Sequence, residues 1–433
     1  MIQDHPGATP SRPSRRDFIK TSTSTALATA AITSQTIPAF AAENNTIRVG
    51  LVGCGGRGSG AAQQALAADP NTKLVALGDT FPDQVTNALA KFKDSKFKGQ
   101  VDVRGANQFS GFDAYKKVIN SCDIVLLASP PAFRPKHLEY AVERGKHVFC
   151  EKPVAVDAPG VRSVIKTCKL AYTKNLNIVS GLCYRYQFAK QDILGRIHKG
   201  DIGDIIAMQT TYNTGTLWHR GKKPEWSDME YQIRNWLYFD WLSGDHITEQ
   251  HIHSLDKIAW AMNDEYPEMA TASGGRIVRT DQKYGNIYDH FNTTYEWASG
   301  VKAFSSCRQW GNASTDVSDH IFGTKGTAHL QEHTIDYNNG KSWSHERKGL
   351  DDMYQNEHNA LFAAIRKGDA INNGKYMCGS TLMAIMGRMS AYTGKTITWD
   401  EALNSNWKLT PDKLVWADHP INPVAQPGIT KFT

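Results

Sequence analysis

Two short segments of this chain carry side chains suited to moving a proton. Glu151-Lys152-Pro153 offers an ammonium that can hydrogen-bond a substrate hydroxyl and stabilise the alkoxide that develops as hydride leaves carbon. Glu249-Gln250-His251-Ile252-His253 sets a carboxylate and an imidazole four residues apart, so that on a helix the carboxylate of Glu249 can orient the imidazole of His253. A third segment, Gly53-Cys54-Gly55-Gly56-Arg57-Gly58, has the glycine spacing of a dinucleotide fingerprint. Gly53 permits a tight turn, Gly55 lets backbone approach a pyrophosphate, and Gly58 allows a helix to pack closely on a strand. Asp79, 21 residues beyond Gly58, is placed to bind ribose hydroxyls and to repel a 2′-phosphate. The following Thr80-Phe81-Pro82 offers no arginine to such a phosphate, so NAD is expected in preference to NADP.

These residues need elements to hold them. Residues 47–52 form a β-branched run that ends at the glycines, 59–68 read as a helix, and 73–77 read as a second strand ending at Asp79, the order of a βαβ unit. Strands expected at 124–128 and 147–150 end in Ser129-Pro130-Pro131 and Glu151-Lys152-Pro153. Ligands of open α/β sheets bind beyond the carboxyl ends of strands. The cofactor set is therefore Gly53, Gly55, Gly56, Arg57, Gly58, Asp79, Ser129, Pro130, Glu151 and Lys152. From about residue 201 alternating segments at 205–212, 291–297 and 301–307 read as antiparallel strands, the last two joined at Ser299-Gly300 like a hairpin. Helices are expected at 249–262 and over 353–393, broken around 372–374. The expected fold is an α/β Rossmann domain, residues 42–153, followed by an α+β domain with a large, mostly antiparallel open sheet, residues 154–433.

Residues 1–41 read as a cleaved signal peptide. Ser14-Arg15-Arg16-Asp17-Phe18-Ile19-Lys20 is a twin-arginine motif, residues 21–40 are mildly apolar, and Ala39-Phe40-Ala41 supplies a cleavage site. Export of a folded protein to the periplasm is expected, with no membrane anchor afterwards. Removing Arg12, Arg15, Arg16, Lys20, Asp4 and Asp17 with the signal lowers the net charge from +6 to +4, and no basic stripe points to nucleic acid. Seven irregularly spaced cysteines suit neither a disulfide framework nor a zinc ribbon. The compartment outside supplies no nicotinamide cofactor, so the cofactor is expected to travel with the protein, non-dissociable, and to be regenerated on it.

Taken together, the glycine fingerprint, Glu151-Lys152-Pro153 and the Glu249/His253 pair resemble the glucose-fructose oxidoreductase / inositol dehydrogenase (Gfo/Idh/MocA) family over most of the chain. The resemblance implies that Lys152 works with His253 as general base and Glu249 as its orienting acid, although the family often has aspartate at that position. It also implies a pyranose, cyclitol or glycoside oxidised at a ring carbon, and a homo-oligomer built on the broad sheet. Tyr184, Arg185, Arg234 and Trp236 are expected to contact that substrate through hydroxyls, carboxylates or ring faces. His251 and His253 would diverge on a helix, so no metal is expected. Three activities fit these features: an oxidoreductase that oxidises one carbohydrate and reduces another; an NAD-dependent redox glycosidase working by oxidation, elimination, hydration and reduction; and a non-catalytic sugar-binding protein.

Overall fold

The computed structural model describes residues 45–431, so the twin-arginine motif and the cleavage site at Ala41 lie outside the described residues. Six strands make a wholly parallel sheet: β1 (Ile47–Val52), β2 (Thr72–Asp79), β3 (Gln108–Ser110), β4 (Ile124–Leu127), β5 (His147–Cys150) and β6 (Ile178–Ser180). Their order is β3-β2-β1-β4-β5-β6. β4, β5 and β6 are buried at every residue, as strands covered by helices on both faces must be, and apart from His147 and Ser180 their side chains are apolar. Strand order reverses between β1 and β4, which opens a crevice above the carboxyl ends of these two strands.

The boundary expected at residue 153 falls inside this sheet. The chain crosses back through the helix Ala158–Thr173 and adds β6 beside β5 before it departs. β6 has only three residues, too short to show a period in sequence.

The second sheet has nine strands: β7 (Ile205–Thr214), β8 (Met269–Gly275), β9 (His290–Glu296), β10 (Lys302–Gln309), β11 (Asp316–Gly323), β12 (Gly326–His329), β13 (Thr334–Tyr337), β14 (Ser342–Ser344) and β15 (Ile397–Thr398). The order is β14-β13-β12-β11-β7-β10-β9-β8-β15, antiparallel throughout except for the pair β7 and β10. The hairpin expected at Ser299-Gly300 joins β9 to β10. Alternate residues of β10, such as Ala303, Ser305 and Cys307, are buried under the helices Ile252–Ala261 and Gly374–Thr393, whose Leu255, Ile258, Leu382 and Met386 belong to the same apolar core.

One late helix returns to the first half. Met353–Lys367 lies along Gly56–Ala68 and inserts Leu361, Phe362 and Ile365 into the core formed by Ile47, Val49, Leu51, Ala61 and Phe149. Each such buried side chain contributes roughly 1.5–3 kcal/mol. All seven cysteines are buried and unpaired by disulfides. Among the described residues no helix is long and apolar enough to cross a membrane.

Candidate active site

The glycine loop is shaped by what a side chain would strike. Gly53 has φ +95°, and a Cβ there would press on the backbone of Ala128 and Ser129; one on Gly58 would collide with the Gly53 carbonyl. Gly55 and Gly56 face open space instead, where the first turn of Gly56–Ala68 has no side-chain cap. Uncapped helix N–H groups beside a bare glycine surface form a cradle for phosphate. Asp79 closes β2 with one carboxylate oxygen accepting from Cys54 N at 2.7 Å and the other from Phe81 N at 3.0 Å. Burial raises its pKa, and these N–H donors oppose that rise. A cleft of about 340 Å³ joins Gly53, Gly55, Gly56, Arg57, Gly58 and Asp79 to Ser129 and Pro130. Cradle, acid and cleft together fit a dinucleotide.

Arg57 ties this loop to the neighbouring strand end. Its Nε donates to Glu151, its Nη2 lies 3.4 Å from Glu357 Oε1, and its guanidinium sits 4.8 Å from the Tyr354 ring centre. Glu151 also accepts from Lys152 N at 3.3 Å, in space that only a glycine at 181 leaves free. Burial, reinforced by the charge of Glu151 and opposed by that of Arg57, pushes the Glu357 carboxyl well above the usual carboxylate range.

Lys152 follows β5 at a cis Lys152–Pro153 bond, and its Nζ donates to both the backbone oxygen and the carboxylate of Glu249, the latter at 3.0 Å. Here the structure departs from the expected single helix over 249–262. Glu249 ends the short helix His246–Glu249, and His253 lies in the first turn of the next, Ile252–Ala261, after a turn at Gln250–His251. The turn is held by His251, whose N–H bonds back to His246 O at 3.0 Å and whose Nε2 meets Ser305 Oγ of β10 at 2.7 Å. Glu249 consequently grips Lys152 instead of the imidazole. His253 stands edge-on to Tyr184, ring centres 5.4 Å apart, with Nδ1 buried and without a partner among the described residues. Burial first, and then the charge of Lys152, push its pKa well below the ordinary histidine value, so the ring is neutral and able to accept a proton.

Of the four residues expected to contact substrate, Tyr184 borders His253, and Trp236 lies on the dinucleotide cleft. The two arginines are engaged elsewhere. Arg185 is buried between Trp260 and Tyr376, with its Nε and Nη2 on Asp256 at 2.9 and 2.8 Å and Nη2 also on Asp264 at 2.7 Å. Arg234 pairs with Asp83 and Glu230 over the Phe81 ring. Sequence reasoning missed Tyr354 and Glu357, which reach the site from a helix about two hundred residues downstream of Lys152, and also Arg220 on the cleft wall. No spacing rule links such distant positions. His251 and His253 face different partners, and among the described residues no group of three or more His, Cys, Asp or Glu side chains is arranged to hold a metal.

Residues 47–175 match the model of the Gfo/Idh/MocA oxidoreductase family, NAD-binding Rossmann fold, and residues 191–329 match the Gfo/Idh/MocA C-terminal domain. The 2,7-anhydro-N-acetylneuraminate hydratase of Escherichia coli (strain K12) is 29% identical over 207 residues, covering 47% of this chain and 50% of that protein. The chain thus spans about half the length of that relative. Inositol 2-dehydrogenase of Pseudomonas fluorescens (strain SBW25) is 26% identical over 296 residues, 66% of this chain and 75% of that protein. A levoglucosan dehydrogenase, solved in complex with NADH and levoglucosan, shares the fold with a TM-score of 0.64 at 17% identity, covering 82% of this chain and 99% of that one.

Proposed function

Because the chain belongs to the Gfo/Idh/MocA oxidoreductase family, we propose that it is an NAD-dependent enzyme acting at a hydroxyl-bearing ring carbon of a sugar, cyclitol or glycoside. The observation that carries this reading is the pairing of Lys152 with Glu249 beside a neutral His253, next to a cleft with the features of a dinucleotide site. A nicotinamide held there supplies the acceptor and donor of hydride. Gly55, Gly56 and the first turn of Gly56–Ala68 hold its phosphates, and Asp79 holds its ribose hydroxyls and disfavours a 2′-phosphate. Lys152, aimed by two bonds from Glu249, donates to the substrate hydroxyl oxygen and stabilises the negative charge that grows on it. His253 takes the hydroxyl proton, with its ring steadied by Tyr184. Glu249 serves as a positioning residue for Lys152.

The twin-arginine motif supports export in the folded state with the cofactor aboard. Electrons taken from one carbohydrate then return to a second one or to the same molecule. The similarity to a hydratase favours the second course as an alternative, in which transient oxidation drives elimination and hydration. Both courses use Lys152 and His253. The test is the near-ultraviolet band of reduced nicotinamide in cofactor-loaded protein while sugars and glycosides are added. A band that persists until a second sugar arrives supports the two-substrate reaction, whereas a transient band with a released aglycone supports the redox-neutral one. Lys152→Met and His253→Asn should each lower turnover by about 10²–10⁴-fold, His253→Asn with bound NAD unchanged. Full activity in both variants would overturn the assignment.

A further inference from the structure

The dinucleotide cleft is not walled by the parallel-sheet half alone. Beside Asp79 its outer wall consists of Trp218, Arg220, Ile233 and Trp236, all from the segment between β7 and β8. Two separate fasteners pin that wall to the first half. In one, Arg234 grips Asp83 with both terminal nitrogens, at 3.1 and 3.0 Å, while its guanidinium lies 3.9 Å from the Phe81 ring centre and Glu230 holds its Nε. Phe81 and Asp83 lie two and four residues after Asp79, the residue expected at the adenosine ribose. In the other, the C-terminal tail, which is bonded to the wall segment by Met229 N–H to Ala417 O at 3.3 Å and by Gln232 Nε2 to His419 O at 2.6 Å, lays Trp416 on Phe112, with ring centres 4.5 Å apart and planes 26° from parallel, and tilts it against Phe81 at 5.7 Å. Phe81 and Phe112 both line the cleft.

We propose that the Arg234–Asp83 pair and the Trp416–Phe112 stack form a clasp that closes residues 217–236 over the adenosine half of the dinucleotide and keeps it resident through turnover. The proposal rests on reading the cleft as the NAD site. A cofactor bound beneath the wall leaves only when both fasteners part, so its escape depends on the product of two separate openings. The fasteners lie at the adenosine end, away from Lys152 and His253, so loosening them changes exchange and leaves the reacting groups alone.

The test is the rate at which excess NAD displaces bound NADH from the full chain, followed by nicotinamide fluorescence. Asp83 is about half exposed at 48%, and Trp416 at 47%, so Asp83→Ala, Trp416→Ala and the double variant remove the fasteners without opening a core. The double variant should release NADH at least about tenfold faster than wild type, each single variant less, with unchanged capacity at saturating cofactor. Equal release rates in wild type and double variant would overturn the clasp. Wild-type protein that binds no NADH would instead overturn the reading of the cleft itself, a result distinguishable from free exchange of bound cofactor.

Discussion

Lys190 is a cation that the fold brings close to neutrality. Only 1% exposed, it donates to Leu330 O at 2.6 Å and to His333 Nε2 at 2.7 Å, and lies 5.5 Å from the ring centre of Tyr184, the neighbour of His253. Burial, helped by the charge of Lys257, lowers its pKa from 10.5 to about 7. Between those values the unfolded chain binds a proton that the folded chain lacks. Folded stability therefore rises as pH climbs from about 7 toward 10.5 and is lost again as pH falls to 7, below which both states are charged. Lys190→Met should remove this slope, so that the unfolding free energies of variant and wild type from urea titrations diverge between pH 7 and 9 by up to about 1.4 kcal/mol per pH unit. Parallel pH dependences would show that Lys190 keeps its proton. Arg185 and Arg234 teach a related lesson about legibility. A sequence displays a charge but not what neutralises it: Asp256 and Asp264 lie 71 and 79 residues from Arg185, and Asp83 lies 151 from Arg234. Asp79 and the glycines could be singled out because residue type and local spacing carry their chemistry, and Lys152 and His253 because the short motifs around them resemble those of the family. The partner of Glu249 could not, since it depends on a turn fixed by Ser305 of a distant strand.

At the scale of elements, the glycine loop separates space that the protein needs from space that a ligand needs. An alanine at 58 would drive its methyl into the Gly53 carbonyl, whereas at 55 the methyl would meet nothing of the protein. Gly58→Ala should destabilise the fold by about 1–3 kcal/mol, the usual cost of overpacking. Gly55→Ala should leave the thermal midpoint near that of wild type and weaken NAD by at least about tenfold. Melting curves and NAD titrations of the two variants check this, and wild-type affinity in Gly55→Ala would mean that no pyrophosphate approaches there. The same scale explains which strands could be anticipated. β4 is a continuous apolar run, β5 is apolar after His147, and β9 and β10 alternate over seven or eight residues, long enough to display a period. β13 has one fully buried side chain, Ile335, and β15 has only two residues, so nothing in their composition distinguishes them from loop.

For the whole molecule the important contact is the return of Met353–Lys367 to the parallel sheet. Leu361, Phe362 and Ile365 complete the core of the first half, and the largest apolar cluster runs from Val52 and Leu127 through to Met386 and Trp399, so neither half owns a closed interior. Calorimetry should accordingly show a single transition with matching calorimetric and van't Hoff enthalpies. Two resolved transitions would mean that the halves unfold independently. The same return dictates an order of events on the ribosome. β6 ends at Ser180, yet the side chains that cover the first core are not made until Ile365, a delay of roughly 10–40 s at about 5–20 residues per second. During that interval the nascent chain presents the vacant bed of Phe362 to chaperones. A chimera that exchanges the first 180 residues for those of a relative inherits the same debt, and must bring the matching helix from the far end of the chain with it.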